Sequence, residues 1–152
     1  MPVVIETDKP LRVETWVRGI TPDRIVNQEL EVARDWIPAG TNSFIPERMY
    51  HIGGGVPDRT NLFVVNPNDR LLELRYRAVY RGAQRPPDID YVMTVPAKSL
   101  GVGVAIPAHK GESGDLPMFP RITFSSPLPF YAVASDTDIN GDVIFRGPAV
   151  GD

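Results

Sequence analysis

The chain reads as an all-β fold, an antiparallel β-sandwich, and three observations predict it. Over 72–80 the residues alternate: Leu72, Leu74, Tyr76, Ala78 and Tyr80 fall on one side, Glu73, Arg75, Arg77 and Arg81 on the other. That is period two, the mark of a strand with one dry and one wet face. Sixteen prolines and 13 glycines are scattered between short apolar runs, which suits many turns and opposes a helical bundle. Asn140-Gly141 is the strongest short-range hairpin signal in the chain.

From the N-terminus, Val3–Thr7 is a β-prone run closed by Asp8-Lys9-Pro10, and Leu11–Arg18 alternates as a strand with Trp16 on its polar side. Gly19–Asp23 reads as a break. Beyond it Leu30 and Val32 oppose Glu29 and Glu31, which predicts a strand over Gln28–Trp36. A helix over Arg24–Ala33, capped at Thr21-Pro22-Asp23, is the alternative. Residues 37–57 form a long connection with a triple glycine at 53–55, a flap over one end of the sandwich.

Leu62–Val65 is a strand, stopped by the turn Asn66-Pro67-Asn68-Asp69, and the alternating run described above is its partner. Ile89–Val95 is a further strand. Leu100–Ile106 continues as L-G-V-G-V-A-I, whose alternating glycines indicate close approach by a neighbour. Residues 107–120 read as a polar loop. Strands at Ile122–Ser125 and Phe130–Ser135 lead to the Asn140-Gly141 turn and its return strand Val143–Phe145, and 147–152 is a loose tail. The spacing suits an immunoglobulin-like or jelly-roll-like sandwich over 37–152, with 1–36 as an N-terminal arm or added strands of the same domain.

Between 57 and 148 the order of features is distinctive: T-N-L-F-V-V-N-P-N-D, a strand ending in Y-R-G, Y-V-M-T-V-P-A-K-S, I-T-F-S-S-P-L-P-F-Y-A-V-A-S-D and N-G-D-V-I-F. This resembles the small β-sandwich modules of bacterial surface proteins. It is also similar to the soluble transducer proteins associated with sensory rhodopsins, in the N-P-N-D and T-V-P-A segments. The resemblance implies a non-catalytic binding or assembly module, oligomeric in the transducers, with no catalytic residues to carry across.

The totals narrow the function classes. Net charge is −3, so no global basic field holds nucleic acid or an anionic membrane. The absence of cysteine excludes disulfides, thiolate metal sites and a thiol nucleophile. No stretch approaches the ~18 apolar residues of a membrane span. Met1–Lys9 lacks the layout of a secretion signal. A cytoplasmic protein, or part of an assembled particle, is the expectation.

The sharpest chemical constellation is Asp136, Asp138, Asn140 and Asp142. Oxygen ligands at alternate positions before a turn are how a calcium loop begins, although Gly147 stands where a closing carboxylate belongs. The plainer reading is a hairpin tip whose Asp and Asn residues suit the turn. Arg75, Arg77, Arg81 and Arg85 read as a solvated face or as an interface to segments such as Glu29 and Glu31. His51 and Glu47 are the one conceivable acid–base pair, and Ser125-Ser126 lacks the turn of a nucleophile elbow. Trp16, Trp36, Tyr50, Tyr91 and Tyr131 are candidate stacking rings for a sugar. The reading with most support is non-enzymatic: a structural or assembly module working through protein–protein contacts, with itself or other subunits of a virion or surface assembly, and needing no cofactor. The alternative is a ligand-binding module, for carbohydrate or for signalling.

Overall fold

The computed structural model describes residues 8, 16–20, 25–29, 36–49, 56–110, 117–141 and 143–150. They form an all-β sandwich-like fold of antiparallel sheets. The strands are β1 (Trp16–Ile20), β2 (Ile25–Glu29), β3 (Ser43–Ile45), β4 (Arg48–Met49), β5 (Pro57–Asn66), β6 (Leu72–Val79) and β7 (Ile89–Val95). Then come β8 (Ser99–Val102), β9 (Ile106–Pro107), β10 (Met118–Phe119), β11 (Arg121–Ser125), β12 (Tyr131–Asp138), β13 (Val143–Arg146) and β14 (Ala149–Val150). The first layer has the order β14-β3-β11-β6-β7, and the second β13-β12-β5-β8 with β9 also on β5. β4 and β10 make a small ribbon, and among the described residues β1 and β2 pair with each other and with no other strand.

The alternation in β6 is realised residue by residue: Leu72, Leu74, Tyr76 and Ala78 are buried while Glu73, Arg75 and Arg77 are exposed. Ile122 and Phe124 of β11 add to this inner face, opposite Ala78 and Tyr76 in register. The second layer answers with Leu62 and Val64 of β5 and Ala132 and Ala134 of β12. Burying each large apolar side chain is worth roughly 1.5–3 kcal/mol, so these facing rows hold the layers together. Phe130 meets Phe124 edge to face at 5.6 Å between ring centres. At the side of the sandwich β7 runs through a short turn into β8, crossing from one layer to the other. A Cβ on Gly101 would lie 2.7 Å from Val95 Cγ2, and one on Gly103 2.7 Å from Tyr76 Oη. The alternating glycines therefore do mark a close approach, of β8 and the residue after it to the core.

Several boundaries differ from the sequence reading. Gly19 and Ile20, read as the start of a break, belong to β1, and 21–24 lie outside the described residues. Ile25–Glu29 is strand, not helix, and it pairs with β1 from Trp16↔Glu29 to Ile20↔Ile25. Residues 30–35 and the triple glycine lie outside the described residues. The long connection contains β3, an interior strand bonded to both β11 and β14. The three residues of β3, set between Gly40 and Pro46, are too few to show periodicity, and pairing on both sides supplies what length does not. The tail is likewise tied down, because Ala149 and Val150 pair with Phe44 and Ser43. The loop over 107–120 contains β10 and a bridge from His109 to Met118. No helix is long and apolar enough to cross a membrane among the described residues.

Candidate functional site

The two layers differ in what they turn outward. On the first, the outward residues are Glu73, Arg75 and Arg77 of β6, Asp90 and Thr94 of β7, and Arg121 and Thr123 of β11, with Val92 and Phe44 among them. On the second they are mostly apolar. Phe63 of β5 stands opposite Val133 on one side and Val102 on the other, and Val65 stands between Tyr131 and Leu100. Residues directly opposite in register share a face. Ser135 continues the row and faces Phe145 of β13. Phe63, Val65, Tyr131, Val133 and Phe145 are half-buried, while Val102 is 59% exposed. Ile37 bridges Phe130, and both point inward. Carried back one residue, that antiparallel register sets Trp36, 38% exposed, beside Tyr131 on the apolar face.

An antiparallel sheet with one face on the core ordinarily shows polar side chains to water on the other. Rows of Val, Phe and Tyr on both sides of one sheet are the pattern of a sheet covered twice. This face is the candidate site.

The arginine row does something simpler. Arg77 is bidentate to Asp90 across the strand pair, at 2.6 and 2.9 Å, and its hydrogen bonds hold the Asp90 carboxyl below the usual carboxylate range. Arg81 pairs with Glu47 at 2.9 Å, Arg85 with Asp88 at 2.6 Å, and Arg75 reaches Glu73 at 3.4 Å. Each cation is met within its own neighbourhood, so this is a solvated face and not an open anion site.

Of the calcium-loop candidates, the described residues Asp136, Asp138 and Asn140 do not converge. Asp136 points inward and is 1% exposed. Its Oδ1 accepts from Thr60 Oγ1 at 2.6 Å and from Arg146 Nη2 at 2.8 Å. Its Oδ2 faces Arg146 Nε at 2.5 Å as an ion pair without aligned hydrogen-bond geometry. Burial pushes the Asp136 carboxyl above its ordinary range, while Arg146, Thr60 and Arg48 pull it back. Arg146 Nη1 also donates to the Pro46 and Pro120 carbonyls, the latter at 3.0 Å. Those prolines adjoin strands of the first layer and the β4–β10 ribbon, so one guanidinium ties the second layer to them. Asp138 Oδ1 accepts from Asn140 N at 2.8 Å, closing the turn in which Gly141 takes φ 82°. Asp142 lies outside the described residues. Among the described residues no three His, Asp or Glu side chains stand together as a metal would require.

The other candidates disperse. His51 and Tyr50 lie outside the described residues, and Glu47 is engaged by Arg81. Ser126 Oγ donates to Leu128 O and accepts from Leu128 N, a local turn and not a nucleophile. Tyr91 stacks on Tyr76 at 5.0 Å on the inner side of the first layer, whereas Tyr131 belongs to the outer side of the second. Among the described candidate rings, Trp36 and Tyr131 share that outer face and Tyr91 lies apart from them; the Trp16 side chain lies outside the described residues. A cleft of about 350 Å³ at one end is lined by Tyr80, Arg85, Ile89, Pro107, His109 and Lys110. Its tyrosine is committed: Tyr80 Oη donates to Pro107 O at 2.7 Å.

That tyrosine carries a pH dependence. Burial, with smaller contributions from Tyr91 and Asp88, pushes its hydroxyl up to about 12. A folded-state value above the unfolded one means the contribution is complete below about pH 10 and is lost as pH rises toward 12. Tyr76 and Tyr91 shift the same way, also through burial. Urea midpoints are expected to fall steeply between pH 10 and 12, and less steeply in Tyr80→Phe. Equal slopes in the two proteins count against this assignment.

No protein-family model matches the chain, and no curated protein matches it. Among solved structures it is similar to the crystal structure of Thermotoga maritima 1070, with a TM-score of 0.45, 13% identity, and coverage of 76% of this chain and 96% of that one.

Proposed function

We propose that this protein is a non-enzymatic structural or assembly module that works through protein–protein contacts, as a homo-oligomer or as a component of a larger particle. The observation that carries the reading is the apolar outer face of the second layer, centred on Phe63 and Val133 and flanked by Tyr131, Val102 and Phe145. A face of this composition gains by leaving water, at about 25 cal/mol per Å² of apolar surface covered. Among the described residues several polar groups are engaged in structure: Asp136 and Arg146 with each other, Ser126 with its turn, and Tyr80 with a carbonyl.

The test is light scattering of the intact chain, alongside the variant Phe63→Asp. The wild type is expected as a defined oligomer, and the variant as a folded species of lower mass. A monomeric wild type across micromolar concentrations overturns the proposal.

A further inference from the structure

We infer that β7 pairs edge to edge with β7 of a second copy of this chain, antiparallel across a two-fold axis at Val92. Two five-stranded first layers then join into one continuous sheet. The inference rests on the assembly reading and names its partner, at a contact separate from the apolar face. Three observations lead to it.

The first is the state of the edge. β7 ends the first layer, bonded to β6 and to no other strand of a sheet among the described residues. It runs seven residues, Ile89–Val95, without proline, lysine or a shift of register. The other strands that end the two layers, β14, β8 and β13, have two, four and four residues. A bare edge presents a row of unpaired amide and carbonyl groups, a template for another strand, and shortness, proline, lysine or a bulge ordinarily blunts it. β7 carries none of these devices.

The second is burial. Ile89, Tyr91 and Met93 pack against the core yet stay only half-buried. Their neighbours on β6, Leu72, Leu74, Tyr76 and Ala78, are 3% exposed or less. On the outward side Val92 is 62% exposed, between the exposed Asp90 and Thr94. One more strand beside β7 covers apolar surface on both of its sides, which favours the pairing.

The third is the order of residues, and it points to a second copy. Residues directly opposite in an antiparallel pair share a face. About an axis at Val92, Ile89 opposes Val95 and Tyr91 opposes Met93 on the inner side. On the outer side Asp90 opposes Thr94, and Val92 meets its own counterpart. Every inner pair is apolar. Like charges do not meet, since each Asp90 is held by Arg77 and faces a hydroxyl. An axis at Tyr91 instead sets Val95 against Pro87, and one at Met93 sets Asp90 against Pro96. Proline has no amide to give to a ladder, so the centre at Val92 is the one that uses all seven residues. A self-complementary patch of this kind closes as a two-fold dimer.

The chain has no cysteine, so one engineered thiol reports without background. Val92→Cys in the full-length chain places a thiol on the axis. Facing Cα atoms there lie about 4.5–5.5 Å apart, within reach of a disulfide. Thr94→Cys sets its two thiols roughly 14 Å apart along the strands, too far to bridge. Both proteins are oxidised at micromolar concentration and run without reductant. The expected result is a disulfide-linked dimer of Val92→Cys in roughly tenfold excess over Thr94→Cys. Val92→Lys, which opposes two ammonium groups at an exposed position, is expected to lower the mass seen by light scattering. An oligomer whose Val92→Cys form links no better than Thr94→Cys overturns the edge pairing and leaves the assembly reading intact. So does a Val92→Lys protein of unchanged mass. A monomeric wild type removes both.

Discussion

Arg146→Ala is expected to cost about 3–5 kcal/mol of stability, the usual consequence of leaving one partner of a buried ion pair behind. The guanidinium is the counterion of Asp136, whose carboxylate is 1% exposed, and it also satisfies the Pro46 and Pro120 carbonyls. At about 2–4 °C per kcal/mol for a chain of this size, the midpoint of thermal unfolding should fall on the order of 10 °C. The double variant Asp136→Leu/Arg146→Met removes both charges and should return most of that loss, since apolar replacements of a buried pair are often neutral. Urea unfolding of the wild type, the single variant and the double variant measures all three. A single variant within about 1 kcal/mol of wild type means the cluster is hydrated in solution and contributes little.

Asn66→Asp should be of comparable severity, roughly 3–5 kcal/mol, although it changes almost no volume. Asn66 is fully buried. Its Nδ2 donates toward the carbonyls of Arg70, Val95 and Pro96, each at 2.9 Å. Its Oδ1 accepts from Asn68 N at 3.0 Å and Asn68 Nδ2 at 2.7 Å. Three carbonyl neighbours fix which end of the amide is nitrogen. A carboxylate there turns a negative oxygen toward all three, with no donor to give. The new carboxyl will titrate above the ordinary range in the folded state. The penalty is therefore largest above its folded pKa and is relieved as pH falls through it, because protonation restores a donor. Stability of the variant should rise toward wild type on acidification. A variant equally destabilised from pH 7 to pH 4 goes against this account.

Much of this architecture could be read from residue order. The alternation of Leu72 to Ala78, the strand Ile89–Val95 and the turn at Asn140-Gly141 are local signals, and local signals survive in a sequence. β3 was hidden because three residues carry no period, and β14 because a pair of residues after a proline looks like any tail. Asp136 is the instructive case. Beside Asp138 and Asn140 it resembles a ligand series, yet it shares parity with Ala132 and Ala134, and that parity turns it into the core. Its partners Thr60 and Arg146 come from other strands, and only the register brings them together. The apolar outer face did leave a trace. Leu62-Phe63-Val64-Val65 and Tyr131-Ala132-Val133-Ala134 are apolar at both parities, which is how a strand reads when both of its sides are covered.

The pairing of β3 with β11 and β14, and of β5 with β12, has a consequence for biosynthesis. Thr60 finds Asp136 76 residues further along the chain. Contacts of such separation make folding slow, since the loop between them must close before any reward arrives. Until residues 121–150 have emerged from the ribosome, β5 lacks its main partner and β3 lacks both of its own. The nascent chain therefore waits with its apolar runs uncovered, and neither layer closes before β11, β12 and β14 are available.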